Sequence, residues 1–340
     1  IQSRGGEICM LNKNYRSTAD MVDSCNKLFN YYNFSGTKFA DCGFLTIKED
    51  EKVHALPLKL GQSLESEALE SDESKIYWNA YKTSQQANWF NVVLNKKDFS
   101  VIETDDKEKA ERLSNILSKA KSLNENIFNE SNDYRFVTRL DFDPQWGLGS
   151  SSTLINNIAE WAGINPYLLL DETFKGSGYD IACAKAESPI FYNVDESTGQ
   201  RVNESRKADF NPPFKDNIYF VYQGHKQNSA NEVKVFLDRE KDYDKEVKSI
   251  SEISRILPDI QTLSDFCYFI KVHEEIMAKC LDRKRIKKHF SDFEGEMKSL
   301  GAWGGDFFMA ATEWNEETVR KYFINKGLDV IFKYDDIVRS

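Results

Sequence analysis

Gly147-Leu148-Gly149-Ser150-Ser151-Ser152-Thr153 stands between a strand- or loop-like segment, Phe136 to Trp146, and an apolar stretch with helical spacing. Leu154, Ile155, Ile158, Ala159 and Ala162 recur at helical intervals, and Gly163 and Pro166 supply stop signals, so the spacing predicts a helix whose first turn carries the serines. Two neighbouring glycines let the chain turn and let a ligand approach the backbone. The hydroxyls offer hydrogen bonds to an anion or oxygen ligands to a metal ion, and the positive end of the helix dipole favours negative charge. The combination reads as a cradle for phosphate. A surface turn has the same composition, so the segment by itself leaves both readings open.

Two further clusters share its character. Gly176, Ser177, Gly178, Tyr179, Asp180, Ile181 and Ala182 form one, and Gly301, Ala302, Trp303, Gly304, Gly305 and Asp306 the other, in a chain with 17 glycines. Three glycine-centred loops suggest that the backbone meets a shared ligand at several points.

In order and chemistry these segments resemble the motifs of the GHMP kinases, the superfamily of galactokinase, homoserine kinase, mevalonate kinase and phosphomevalonate kinase. The resemblance runs from about residue 34 to residue 340. Gly147 to Ser151 matches the family's Gly-Leu-Gly-Ser-Ser core, with Ser152 in place of the usual alanine. Gly176 to Ala182 resembles the Ser-Gly-x-Asp stretch of mevalonate and phosphomevalonate kinases, and Gly-Tyr-Asp-Ile-Ala is similar to the bacterial subgroup named after that string. Lys226, Gln227, Asn228 and Ser229, after the apolar run Ile218 to Tyr222, also resemble that subgroup. Gly301 to Asp306 resembles the C-terminal glycine-rich motif, with Trp303 where many members carry glycine. The first motif is the poorest match. Lys38 falls on its lysine, Gly43 on its glycine and Ala55, Leu56 and Pro57 on its small-apolar end, but Phe44 replaces the expected glutamate, and Ala40, Asp41 and Cys42 occupy a usually apolar stretch.

The resemblance implies an α+β, two-domain GHMP kinase fold, with a ribosomal protein S5 domain 2-like N-terminal domain and a ferredoxin-like C-terminal domain. Residues 1–33 precede it as an extension of uncertain origin, 34–208 would form the ATP-binding domain and 209–340 the C-terminal domain. The polar stretch Asn193 to Pro213, with Gly199, Pro212 and Pro213, is the expected boundary. Within the extension, Asn14, Tyr15, Arg16 and Ser17 resemble a short helicase motif, but no Walker loop accompanies it.

The implied chemistry is transfer of the terminal phosphoryl of ATP, with Mg2+, to mevalonate or phosphomevalonate. Gly147, Leu148, Gly149, Ser150, Ser151, Ser152 and Thr153 would hold the phosphates. Ser151 resembles the family's magnesium-ligand serine, and Glu172 is a candidate carboxylate beside it. Asp180 would face the accepting oxygen, and Lys38 would lower the acceptor's pKa and screen transferred charge. Gly178, Tyr179, Gly301, Ala302, Gly304 and Gly305 would meet substrate or phosphate, and Lys175 and Lys226 are the nearest cations for a phosphorylated acceptor. As plain structure, Asp180 is a helix-capping turn residue, Lys38 an exposed strand lysine and Asp306 structural. A mevalonate diphosphate decarboxylase-like enzyme and a catalytically degenerate binding protein are the competing classes.

Composition agrees with an enzyme of this kind. Of 340 residues, 40% are hydrophobic, enough for two cores, and the net charge of −10 argues against a general nucleic-acid binder. The basic cluster Arg283, Lys284, Arg285, Lys287 and Lys288 lies in a charged helical pattern and reads as a solvated helix face. No apolar run approaches the about 20 residues that span a bilayer, so the expectation is a cytoplasmic protein without membrane contact, monomeric or homodimeric. The six cysteines lack Cys-x-x-Cys pairing and read as free thiols. His273, Glu274 and Glu275 suggest a zinc-protease helix, but Met277 stands where the second histidine belongs, and solvent-facing acids are the expected account.

Overall fold

The computed structural model describes residues 53–55, 60, 62–71, 73–82, 87–128, 131–174, 178–195, 202–224, 243–300 and 306–339. Lys38, Phe44, Lys175, Lys226 to Ser229 and Gly301 to Gly305 lie outside them, as do residues 1–33.

A five-stranded sheet orders β2 (Gln62–Leu69), β6 (Asp133–Leu140), β3 (Lys75–Lys82), β4 (Ala87–Asn95) and β5 (Val101–Thr104). The pair β3 and β6 is parallel, and the other neighbours run antiparallel. Alternation sets the buried face: Ile76, Trp78 and Ala80 of β3 and Phe136 of β6 point into one core while their neighbours do not. Against that core lies α1 (Lys107–Leu123), which buries Ala110, Leu113, Ile116, Leu117 and Ala120 along one stripe. Its start is fixed by Asp106, whose carboxylate accepts from the Lys109 amide. Helices α2 (Ser150–Ala162), α3 (Pro166–Glu172) and α4 (Tyr179–Lys185) complete the layer, with Ile155, Ile158, Ala159, Leu169 and Ile181 in the same core.

A three-stranded sheet, β1 (Val53–Ala55), β7 (Ile190–Asp195) and β8 (Val202–Lys207), takes residues 193–195 and 202–207 of the polar stretch expected as a domain boundary. Strands β7 and β8 pair antiparallel, with Asp195 opposite Val202.

The third sheet orders β10 (Glu296–Ser299), β11 (Phe307–Ala311), β9 (Ile218–Tyr222) and β12 (Ile331–Lys333). Strands β9 and β11 are buried on both faces, so they read as continuous apolar runs, and their alternate residues feed two cores. Ile218, Phe220, Phe307 and Met309 face one, with α5 (Asp244–Ile256), α6 (Leu263–Leu281) and Tyr334 of α8 (Tyr334–Ile337). Tyr219, Val221, Phe308 and Ala310 face the other, with Val319 and Phe323 of α7 (Glu316–Ile324).

Two expectations are corrected here. The helical reading of the basic cluster fails because α6 ends at Leu281 on a left-handed Asp282 (φ 53°); Arg283 to Lys288 follow in a loop and the 3-10 turn Ile286–His289. Arg285 is not solvated: its guanidinium reaches Glu296 at 2.6 Å and Glu275 at 3.3 Å. The acids after His273 do not all face solvent either. His273 and Glu274 are buried against β10, and only Glu275 is exposed, because α6 packs that face on the sheet. Among the described residues no cluster of three or more His, Cys, Asp or Glu could hold a metal ion, and no helix is long and apolar enough to cross a membrane. Cys183, Cys267 and Cys280 are free thiols.

Candidate phosphate-binding and catalytic site

The loop from Asp143 to Thr153 is built by local chemistry and then clamped from outside. Asp143 caps the 3-10 turn Pro144–Trp146 by accepting from the Gln145 amide. Gly147 and Gly149 both adopt left-handed backbone (φ 72° and 83°), which a side chain would resist, and Gly149 is the N-cap of α2. Between them Leu148 is 2% exposed and sits in the core shared with β9 and β11. It anchors the loop by its side chain and leaves only its backbone to a ligand.

The hydroxyls that follow have distinct neighbours. Ser150 and Ser151 are half-buried in the first turn of α2. The Ser152 side chain, 1% exposed, turns inward and donates to Asp180 Oδ2 at 3.5 Å. The Thr153 hydroxyl lies 3.0 Å from Gln62 Oε1 and 3.2 and 3.1 Å from the Gly149 and Ser150 carbonyls, so it braces the turn. Gln62 is held in turn by Asn157, whose amide donates to the Gln62 carbonyl at 2.8 Å.

Asp180 is the second residue of α4, which starts after left-handed Gly178 (φ 82°). It is 0% exposed, and Tyr179 beside it is buried edge-on to Tyr192. Asp306, also 0% exposed, abuts Gly147 so closely that a Cβ there would lie 2.3 Å from Oδ2. Its carbonyl accepts from the Gln223 amide at 2.7 Å, tying the start of β11 to the end of β9. The 3-10 turn rests on the same strands: Trp146 packs on Tyr222, Phe307 and Phe332, and the Tyr222 hydroxyl donates to the Gln145 carbonyl at 3.3 Å. Burial first, then the carboxylates of Asp306 and Asp143, push the Tyr222 phenol above its usual range.

The structure thus brings together the central loop, Asp180 and Asp306. It does not bring Glu172 into that group: the carboxylate is exposed at the end of α3 and pairs with Lys119 of α1 at 3.0 Å. Gln62, Asp143 and Lys82, whose ammonium lies 3.4 Å from Asp143 Oδ2, are site neighbours that the sequence reading missed. Lys82 and Asp143 are 61 residues apart and belong to no glycine motif, so only the sheet register joins them.

No protein-family model matches the sequence, and no curated protein does. Solved structures do resemble the fold. Mevalonate kinase from Methanococcus jannaschii superposes with a TM-score of 0.60 at 16% identity, over 85% of this chain and 92% of that one. Phosphomevalonate kinase from Streptococcus pneumoniae, solved with phosphomevalonate and AMPPNP, gives 0.56 at 12% identity over 79% and 90%. Galactokinase from Lactococcus lactis, complexed with galactose, gives 0.55 at 9% over 86% and 88%. The mixed sheets and helices of this chain therefore form the α+β fold of the GHMP kinases.

Proposed function

We propose that this chain is an ATP-dependent small-molecule kinase that phosphorylates mevalonate or phosphomevalonate. The observation that carries the reading is the meeting of three glycine-marked segments: Gly147 against Asp306, and the first turn of α2 against Asp180. A surface turn would not recruit two fully buried carboxylates from distant parts of the chain. The fold shared with mevalonate and phosphomevalonate kinases supports the choice of acceptor.

In this reading the amides at the start of α2, exposed to a ligand by the two left-handed glycines, bind the polyphosphate, and Ser150 and Ser151 add hydroxyls. Asp180 accepts the proton of the acceptor hydroxyl or orients it. The acceptor oxygen then bonds to the terminal phosphorus, the bond to the bridging oxygen breaks, and ADP leaves with that electron pair. Lys38 assists by screening charge. Magnesium, when bound, neutralises charge on the phosphates, and the half-buried Ser151 hydroxyl would be its protein ligand. Soluble, cytoplasmic work on a small acceptor follows from the same reading.

A coupled ADP-release assay with mevalonate, phosphomevalonate, homoserine and galactose tests it. Turnover of one of the first two, reduced by orders of magnitude in Asp180→Asn with Mg-ATP binding retained, is the expected result. Asp180→Asn at wild-type rate, or silence with every acceptor, would overturn the proposal.

A further inference from the structure

Ser152 and Asp180 are both shut away from water, and they meet across two helices. At 1% and 0% exposure neither side chain is a solvated surface group, and the Ser152 hydroxyl donates to Asp180 Oδ2 at 3.5 Å, long for such a bond. Both residues are in the first turn of their helices, each entered through a left-handed glycine, Gly149 for α2 and Gly178 for α4. The two helices pack on each other and share one core through Ile155, Ile158 and Ile181. The turn that carries Ser152 is itself braced, because Thr153 is tied to Gln62 and to the Gly149 and Ser150 carbonyls. The helix whose N-terminus forms the phosphate loop therefore also carries the donor that touches the buried carboxylate.

We propose that Ser152 is a positioning residue: its hydroxyl holds the plane of the Asp180 carboxylate, so that the base is registered to the same helix that holds the phosphates. This rests on the kinase reading above. The orientation matters because in-line transfer tolerates little misalignment between base, acceptor oxygen and terminal phosphorus. Ser152 makes no bond to substrate in this scheme. Its neighbours Ser150 and Ser151 keep the phosphate-facing role, so the three serines divide by the direction of their side chains.

The consequence is a specific kinetic split. Ser152→Ala removes one hydroxyl and leaves a good helix former in a buried turn, so the fold and the phosphate loop are kept. The loss of one hydrogen bond to the base predicts a fall in kcat of about tenfold. KM for Mg-ATP and for the acceptor should stay within about twofold, because the loop amides are untouched. Ser152→Cys, which keeps a weaker donor, should fall between wild type and Ser152→Ala.

Wild type, Ser152→Ala, Ser152→Cys and Asp180→Asn would be compared in steady-state kinetics with Mg-ATP and mevalonate or phosphomevalonate, with thermal melting and Mg-ATP binding on the same samples. The expected order in kcat is wild type, Ser152→Cys, Ser152→Ala, Asp180→Asn, with KM and Mg-ATP binding level for the serine variants. Equal kcat in wild type and Ser152→Ala, beside a crippled Asp180→Asn, would overturn the Ser152 role and leave the kinase reading standing. A loss in Ser152→Ala that appears in KM and melting, and not in kcat, would also overturn it, since that is the mark of a packing residue. An active Asp180→Asn, or no turnover of either acceptor by wild type, would overturn both.

Discussion

Gly147 and Asp306 are in such close contact that no side chain fits between them: a Cβ on Gly147 would lie 2.3 Å from Asp306 Oδ2 and 2.5 Å from its Cγ. The buried aspartate is thus a template against which the glycine loop is moulded. Gly147→Ala carries two penalties, the left-handed backbone at φ 72°, about 1–2 kcal/mol, and the clash with a carboxylate that has no solvent to swing into. In urea denaturation, Gly147→Ala should cost more than that backbone strain, and in an Asp306→Ala background only about the strain itself. Equal costs in both backgrounds would show that the two residues do not touch.

Magnesium dependence separates Ser151 from Glu172. Ser151→Ala should weaken magnesium-dependent nucleotide binding, whereas Glu172→Gln should leave it unchanged, because Glu172 already pairs with Lys119 at the surface. Calorimetric titration of ATP with and without magnesium measures both. A raised magnesium requirement in Glu172→Gln would return that carboxylate to the site.

Glu274 makes stability depend on pH. Burial, opposed by Lys298, the Ser299 hydrogen bond and Arg285 and reinforced by Glu296, pushes its carboxyl up to about 8 from 4.5. Beside it, buried His273 stays neutral, its pKa held well below 6.5 by burial and by Lys298. The Ser299 hydroxyl donates to Glu274 at 3.4 Å, and the Lys298 ammonium donates to the Ser299 carbonyl at 3.1 Å. Since the folded value exceeds the unfolded one, the contribution is full below about pH 4.5 and is lost as pH rises through about 8, with a slope of at most about 1.4 kcal/mol per unit. Melting curves of wild type and Glu274→Gln should therefore diverge in the variant's favour between about pH 5 and pH 8. Parallel curves would refute the assignment.

Two leucines calibrate the loop's anchorage. Leu148 is 2% exposed and Leu168, on the nearby helix α3, is 52% exposed. Leu148→Ala should cost about 2–5 kcal/mol and Leu168→Ala no more than about 0.5 kcal/mol, read from chemical denaturation. A small effect at Leu148 would mean that the loop is not held by the core.

Much of this was legible in the sequence because it is local. The helical spacing after Thr153 and the stop at Gly163 gave α2, and Gly147 and Gly149 do adopt the left-handed conformation that glycine permits. The strand at 218–222 was visible as an apolar run. What was hidden depends on tertiary context. The polarity of 193–195 and 202–207 is the same for a linker and for paired strands, and only the pairing distinguishes them. Arg285 looks like any surface cation until β10 brings Glu296 to it. Glu274 carries no mark of burial, since charged residues rarely pay that cost, and the Lys82–Asp143 pair follows from sheet register alone.

One core takes Leu140, Phe142 and Leu148 from the first half of the chain and Phe220, Phe266, Phe307 and Met309 from the second. Evolution therefore cannot trade these halves as interchangeable modules. A chimera spliced near residue 208 with the corresponding part of a distant protein of the same fold would inherit a mismatched interior, and the mismatch would fall around Leu148 of the glycine loop. Successful grafts would have to carry the facing apolar residues together, so that the shape of the glycine loop and foldability are inherited as one unit.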